Sequence, residues 1–130
     1  MKKIILITAF LTIWLTMGAQ IVFRTDDFTY CEWNEKDKKY NICVDHNENT
    51  AVIVNEDDTY ITHILDESIT VKYFVTGNRY DEEYDVFMYD VTEVDSGDKG
   101  IYIFDIKADQ IRVVMKDDTN HMFIFYIAPE

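Results

Sequence analysis

Glycine, proline and cysteine are scarce in this chain of 130 residues, which contains 4 glycines, 1 proline and 2 cysteines. A collagen-like repeat needs abundant glycine and proline, and a disordered tail needs low hydrophobicity. Here 48% of the residues are hydrophobic and 15% are aromatic, so both classes are excluded. The length corresponds to about one domain.

Basic residues are also few, because 12 lysines and arginines stand against 25 acidic residues, which gives a formal net charge of −13. Lysine and arginine neutralise the phosphates of nucleic acids and attract anionic lipid surfaces. We therefore expect no nucleic acid as a partner, and no membrane once an N-terminal signal is removed. We expect the charge to serve solubility outside the cell, and the alternative is that it attracts a basic extracellular protein.

The N-terminal residues 1–19 have the pattern of a secretory signal segment, which we expect to be helical. Two lysines precede a short apolar run that ends in the small residues before a cleavage site after Ala19. A retained membrane anchor is the alternative, but spanning a bilayer takes about 20 apolar residues and this run is shorter. Gln20 stands at the position where a bacterial lipoprotein would carry its acylated cysteine, so we expect no lipid anchor. The pattern predicts cleavage and a secreted or periplasmic chain, residues 20–130, with a formal charge of −15 after the loss of Lys2 and Lys3.

After residue 19, short runs rich in Val, Ile, Tyr, Phe and Thr alternate with clusters of Asp, Asn and Gly. This pattern predicts one all-β domain, a small antiparallel meander of about eight or nine short strands that forms a barrel or a sandwich. Both architectures give the same alternation along each strand, so both remain open. The predicted strands are residues 28–33, 40–45, 50–55, 59–65, 68–76, 84–93, 100–107, 110–116 and 121–128.

The only cysteines, Cys31 and Cys43, lie symmetrically about Asp37 in a predicted hairpin loop. In that register the two cysteines face each other across neighbouring strands, which is a geometry that allows a disulfide. Two cysteines in an oxidising compartment usually pair. We therefore predict a structural disulfide between Cys31 and Cys43.

Three polar segments could carry chemistry, and for each the structural interpretation is the stronger one. Residues 45–49 (Asp-His-Asn-Glu-Asn) group possible metal ligands, yet they match no zinc or iron spacing. Residues 95–100 are oxygen-rich like a calcium loop but lack its length and its closing glutamate. The acidic run at residues 80–84 could raise a carboxyl pKa as glycosidases do, but charge runs are usually solvated faces.

Nucleophile motifs, glycine-rich phosphate loops and nucleotide fingerprints are absent from the sequence. We therefore predict a protein that is not an enzyme, with no cofactor, no catalytic residues and no metal site. Of the histidines, His63 shares a strand face with Ile61 and Leu65 and is expected in the core with a hydrogen bond. His121 follows a turn and is expected to be exposed.

The mature region is similar in plan to lipocalin-like carriers and to periplasmic lysozyme inhibitors, which are small antiparallel sheets with aromatic cores. Lipocalins usually begin with a Gly-x-Trp motif, whereas Trp33 here follows Cys31-Glu32. The resemblance is one of architecture and composition, and it implies no site residues.

These observations favour an exported, acidic, non-enzymatic binding module that binds or inhibits another protein. One alternative is a carrier for a small apolar ligand in a lipocalin-like barrel, with a pocket lined by Phe87, Tyr89, Phe104 and Phe123. Another is a structural component of a surface assembly that uses the apolar last strand for β-augmentation.

Overall fold

The computed structural model describes residues 20–66 and 68–129, and these residues form a single antiparallel sheet of nine strands. All nine predicted strands are confirmed, and the predicted signal segment lies outside the described residues. Between residues 20 and 129, excluding the undescribed residue 67, no helix is long and apolar enough to cross a membrane. The strands are β1 (Ile21–Asn34), β2 (Lys39–His46), β3 (Thr50–Val54), β4 (Tyr60–Asp66), β5 (Ile69–Asp81), β6 (Val86–Glu93), β7 (Lys99–Asp105), β8 (Gln110–Met115) and β9 (Asp118–Ile127).

The sheet closes into a barrel of eight strands, β1 and β3 to β9. The strand order is β2-β1-β3-β4-β5-β6-β7-β8-β9, and the first strand also pairs with the last. This closing pair runs from Thr25 opposite Ile127 to Glu32 opposite His121. Of the two predicted architectures the barrel is therefore the one observed, and the order is the up-and-down meander that short connections favour.

Strand β1 is long enough to pair with two strands along the same edge. Its first half pairs with β3 up to Thr25, and its second half pairs with β2 from Phe28 onward. Strands β2 and β3 therefore lie end to end along β1, and residues 47–49 connect them outside any strand. As a result β2 is an additional strand beside the barrel, and its far edge has no partner among the described strands.

Strand β1 begins at Ile21, seven residues before the predicted start. Arg24, Asp26 and Asp27 interrupt the apolar alternation here, which is why the pattern does not indicate a strand. The register on the β9 side shifts between Thr25 and Asp27, so a bulge at Asp26 takes up one residue and lets the strand continue.

The interior of the barrel is filled mainly by aromatic and β-branched side chains from all eight barrel strands. Tyr102 on β7 is fully buried near the centre, and its ring packs edge to face against that of Tyr73, with 5.2 Å between the centroids. The buried residues of the core are Val52, Val54, Ile61, Tyr73, Val91, Tyr102, Phe104, Ile111, Val113 and Phe125.

A chain of polar side chains crosses this apolar interior. His63 is only 3% exposed, and its Nδ1 lies 2.7 Å from the hydroxyl oxygen of Tyr102. Its Nε2 lies 3.4 Å from Oγ1 of Thr50, which in turn hydrogen-bonds Thr25. A buried polar group is costly unless it has a partner, and here each ring nitrogen of His63 has one. The expectation that His63 is a hydrogen-bonded core residue is confirmed.

The predicted disulfide is confirmed. Cys31 on β1 lies directly opposite Cys43 on β2, and the two sulfur atoms are 2.10 Å apart. Their Cα atoms are 4.0 Å apart, which indicates a position of the ladder where the two residues do not exchange backbone hydrogen bonds. The bond ties the additional strand β2 to the barrel.

Candidate interaction surface

The hairpin between β5 and β6 extends beyond the neighbouring strand β4. On β5, pairing with β4 ends at Phe74, whereas pairing with β6 continues to Asp81 opposite Val86. We call residues 80–87 the hairpin tip. The sequence predicts that this strand ends at residue 76, whereas β5 continues to Asp81, so only the structure shows that the tip projects.

The turn of the hairpin tip is held by its own side chains. Oδ1 of Asp81 accepts hydrogen bonds from the backbone N–H groups of Glu83 and Tyr84, at 3.0 and 3.2 Å. Asp85 adopts a left-handed backbone conformation with φ of 54°, which aspartate tolerates better than most residues. The sequence thus encodes a defined turn in which Glu82, Glu83 and Tyr84 are exposed.

Three aromatic side chains of the hairpin tip are exposed to solvent. Tyr80, Tyr84 and Phe87 are 47%, 68% and 48% exposed. Tyr80 and Phe87 lie opposite each other on the two strands, and their ring centroids are 4.9 Å apart. The hydroxyl of Tyr80 also donates a hydrogen bond to Asp85, which holds the Tyr80 ring against the turn.

Acidic residues alternate with these aromatic residues along the hairpin tip. The tip itself carries Asp81, Glu82, Glu83 and Asp85. Because consecutive turns of a meander alternate between the two barrel ends, the β3–β4 turn with residues 56–58 and the β7–β8 turn lie at the same end. The hydroxyl of Tyr89 donates a 3.2 Å hydrogen bond to Asp58, which links the β3–β4 turn to the β5–β6 hairpin. This end of the barrel is therefore strongly acidic.

The carboxylates at this end are stabilised in their charged form. Hydrogen bonds from Lys107 and then from Tyr80 lower the pKa of Asp85, and Lys107 Nζ lies 2.8 Å from Asp85 Oδ2. The same bond raises the pKa of Lys107. In the β3–β4 turn, a hydrogen bond from the Thr59 side chain lowers the pKa of Asp57. Asp57 and Asp85 therefore carry their negative charges at neutral pH.

The four residues predicted to line a ligand pocket lie in three different environments. Phe104 is buried, and its ring packs against that of Tyr89 with 5.3 Å between the centroids. Phe123 packs against Tyr30 and Phe28 near the barrel seam. Phe87 is half exposed at the hairpin tip. The structure thus brings Tyr89 and Phe104 together and places Phe87 at the surface.

Two open grooves at the surface of the described residues have volumes of about 400 and 230 Å³. None of the four predicted pocket residues lines either groove. The larger groove includes Asp45, His46 and Asn47 from the segment with possible metal ligands. Within residues 20–66 and 68–129, no group of three His, Cys, Asp or Glu residues is arranged to hold a metal ion.

The environment of His121 differs from the prediction. Its side chain is partly buried, with 25% exposed, whereas the sequence predicts an exposed residue, and Nδ1 lies 2.6 Å from Asp118 Oδ1. Its ring stacks on Tyr30 with 4.8 Å between the centroids, and Glu32 is 3.5 Å from Nε2. The turn signal at residues 117–120 does not reveal the stacking on Tyr30 or the contact with Glu32, because both residues lie on β1, which closes the barrel beside β9.

Comparisons with family models, with curated proteins and with solved structures found no match to this chain. Its function is therefore argued from its own residues. The sequence pattern of residues 80–84 predicts a solvated acidic run and does not identify Tyr80 and Tyr84 as site residues. The signal available was two tyrosines flanking three acids, but their exposure depends on the length of the hairpin.

Proposed function

We propose that the chain is an exported, non-enzymatic module that binds a basic surface of another protein through the hairpin tip. The observation that carries this proposal is the exposure of Tyr80, Tyr84 and Phe87 beside the acidic residues of the same hairpin tip, at one end of a closed barrel.

Aromatic side chains with an acidic rim are suited to protein recognition. Tyrosine buries a large area at an interface and keeps a polar group for hydrogen bonding, and tyrosine and phenylalanine are enriched in interfaces. Exposed carboxylates give little affinity by themselves, but they steer a basic partner and reject an acidic one. In this proposal the aromatic residues provide the contact area, and the carboxylates select the partner.

The disulfide supports the extracellular or periplasmic location in this proposal. Disulfides persist in oxidising compartments and are rare in the cytosol. The bond between Cys31 and Cys43 is therefore consistent with an oxidising extracellular or periplasmic compartment.

Capture with matched variants tests the proposal. Residues 20–130 are immobilised as the wild type, as Tyr84→Ser and as Ile69→Ser, and each is exposed to proteins of the secretion compartment. Ile69 is 48% exposed at the opposite end of β5, so its variant controls for the loss of an exposed apolar side chain.

We expect a basic protein to be retained by the wild type and by Ile69→Ser and to be lost or strongly reduced with Tyr84→Ser. The retained protein is then purified and titrated against each variant, so that binding is measured for one defined partner. Equal affinity of the wild type and Tyr84→Ser, or retention of acidic proteins only, contradicts the proposal.

A further inference from the structure

The larger groove lies where the edge of β1 passes from one partner strand to the next. Pairing with β3 ends at Thr25 and pairing with β2 begins at Phe28, so two aspartates, residues 26 and 27, separate the two ladders. The connection at residues 47–49 leaves the sheet at the same point. The resulting groove has a volume of about 400 Å³ and is lined by Asp27, Phe28, Thr29, Asp45, His46, Asn47 and Tyr126.

One wall of the groove is a flat aromatic surface. The rings of Phe28 and His46 stack with 4.7 Å between their centroids and 16° between their planes. Phe28 covers one face of the His46 ring, and because His46 is exposed its other face can receive another planar group. Planar cations are attracted to such faces.

Another wall is a carboxylate held in a fixed orientation. Thr29, which is only 5% exposed, donates a 2.7 Å hydrogen bond from its Oγ1 to Oδ1 of Asp45. The same Oγ1 lies 3.0 Å from the hydroxyl oxygen of Tyr126. This network orients the Asp45 carboxylate and leaves its second oxygen and the Tyr126 hydroxyl available to a ligand.

The groove carries negative charge that no lysine or arginine of the described residues compensates. Asp27 and Asp45 form no salt bridge with a described residue. Residues 26–27 and 45–49 contain four acidic residues and no lysine or arginine. Because the described residues hold no group suited to a metal ion, an organic cation fits this chemistry better.

We propose that this groove binds a guanidinium group. A guanidinium is planar, pairs with a carboxylate through two parallel hydrogen bonds and stacks on aromatic faces. Asp45 would accept its hydrogen bonds, and the Phe28–His46 pair would accept its flat face. The ligand is either an arginine side chain of a polypeptide or a free guanidinium compound, and the proposal does not depend on the function of the hairpin tip.

An NMR titration of residues 20–130 at low salt tests the proposal. The probe is N-acetyl-arginine amide, and the uncharged isostere N-acetyl-citrulline amide is the control ligand. We expect saturable shifts at Phe28, His46 and Tyr126 with the arginine probe and none with citrulline. N-acetyl-lysine amide should bind several-fold more weakly, because an ammonium is not planar.

Two variants with the same charge change separate a defined site from general attraction to an acidic surface. Asp45→Asn should weaken binding at least about tenfold, because it removes a charge-assisted hydrogen bond. Asp95→Asn in the exposed β6–β7 turn should leave the affinity unchanged. Shifts spread over the acidic hairpin tip, equal binding of citrulline or of the lysine probe, or an unchanged affinity of Asp45→Asn would overturn the proposal.

A titration with one more ligand, an Ala-Arg-Ala peptide with blocked termini, distinguishes the two possible sources of the guanidinium group. Tighter binding of the peptide than of the single residue supports the groove as a site for an arginine of a polypeptide. Equal binding supports a site for a free guanidinium compound. If Tyr84→Ser leaves both titrations unchanged, the groove binds its ligand independently of the hairpin tip.

Discussion

At the residue scale, His63 connects the stability of the barrel to pH. Burial lowers the pKa of His63 from 6.5 to about 4, because the charged ring would lose its hydration inside the barrel. Both ring nitrogens have hydroxyl partners, so the neutral ring is well accommodated. Since the unfolded chain binds this proton at a higher pH than the folded one, stability falls as the pH drops from about 6.5 toward 4.

This difference in pKa predicts a loss of about 3 kcal/mol in the free energy of unfolding between pH 7 and pH 4, with most of it reached by pH 4.5. Urea unfolding at pH 7 and pH 4.5 measures it, with His63→Gln as the non-titrating variant. Carboxylates titrate alike in both proteins, so the difference in their pH dependence isolates His63. An identical pH dependence of the two proteins would show that His63 is not the buried, neutral group described here.

The contribution of His121 to stability should depend on pH in the opposite direction. Hydrogen bonding with Asp118 raises the pKa of His121, so its contribution to stability is present below the unfolded pKa and is lost as the pH rises through the folded one. In the same urea experiment, His121→Gln should lose the most stability relative to the wild type at pH 5 and the least at pH 8. A larger loss at pH 8 contradicts the ion pairs with Asp118 and Glu32.

The packing around position 100 on β7 requires a glycine. A Cβ atom added there would lie 2.5 Å from Met115 Sδ and 3.0 Å from the backbone oxygen of Val114. Gly100→Ala should therefore cost about 1–3 kcal/mol in thermal or urea unfolding. Gly77→Ala is the matched control, because its Cβ would meet only the flexible Asp90 carboxylate at 3.3 Å. Equal stability of the two variants would contradict this account of the packing.

At the scale of elements, the disulfide holds a strand that has little packing of its own. Every residue of β2 except Tyr40 is exposed, and Ile42 and Val44 lie on the surface although they are apolar. Strand β9, by contrast, is paired on both edges, with β1 and with β8. A structural role by β-augmentation would therefore need an edge other than that of the last strand.

Removal of the disulfide should release β2 without opening the barrel. The double variant Cys31→Ala, Cys43→Ala should lose about 3 kcal/mol or less, and amide exchange in β2 should accelerate far more than in β3. Hydrogen exchange followed by NMR measures both strands in one sample, and reduction of the wild type provides a control without substitution. Unchanged protection of β2 would show that its ladder with β1 is sufficient.

The elements also show what the sequence predicts and what it cannot. Alternation of β-branched and aromatic residues between turn-forming clusters predicts nine strands and the opposition of Cys31 and Cys43, because both depend on local spacing. Closure of β1 against β9 depends on pairing between the two ends of the chain, which alternation along each strand does not encode. The sequence does not predict the exposure of the hairpin tip for a related reason. Phe87 follows the same alternation as the core residues, but it lies in the part of the hairpin that extends beyond the end of β4.

At the scale of the whole molecule, the exposed aromatic side chains of the described residues are concentrated at one end of the barrel. One end combines the acidic turns at residues 56–58 and 82–85 with the exposed rings of Tyr80, Tyr84 and Phe87. A basic partner would be steered to this end by the field of the acidic groups and held there by burial of the rings. The attraction by the acidic groups and the burial of the rings differ in their response to salt. Screening weakens the electrostatic attraction, whereas the contribution of apolar burial to affinity persists.

The most direct test of the central claim is the affinity of the captured partner for residues 20–130, measured by calorimetry at low and at high salt. The wild type is compared with the double variant Glu82→Gln, Glu83→Gln and with Tyr84→Ser. The account predicts that wild-type affinity falls steeply with salt, that the double variant is weaker at low salt and depends less on salt, and that Tyr84→Ser is weak at both. Wild-type affinity that does not change with salt, or a Tyr84→Ser variant that binds like the wild type, would contradict binding of a basic protein at the hairpin tip.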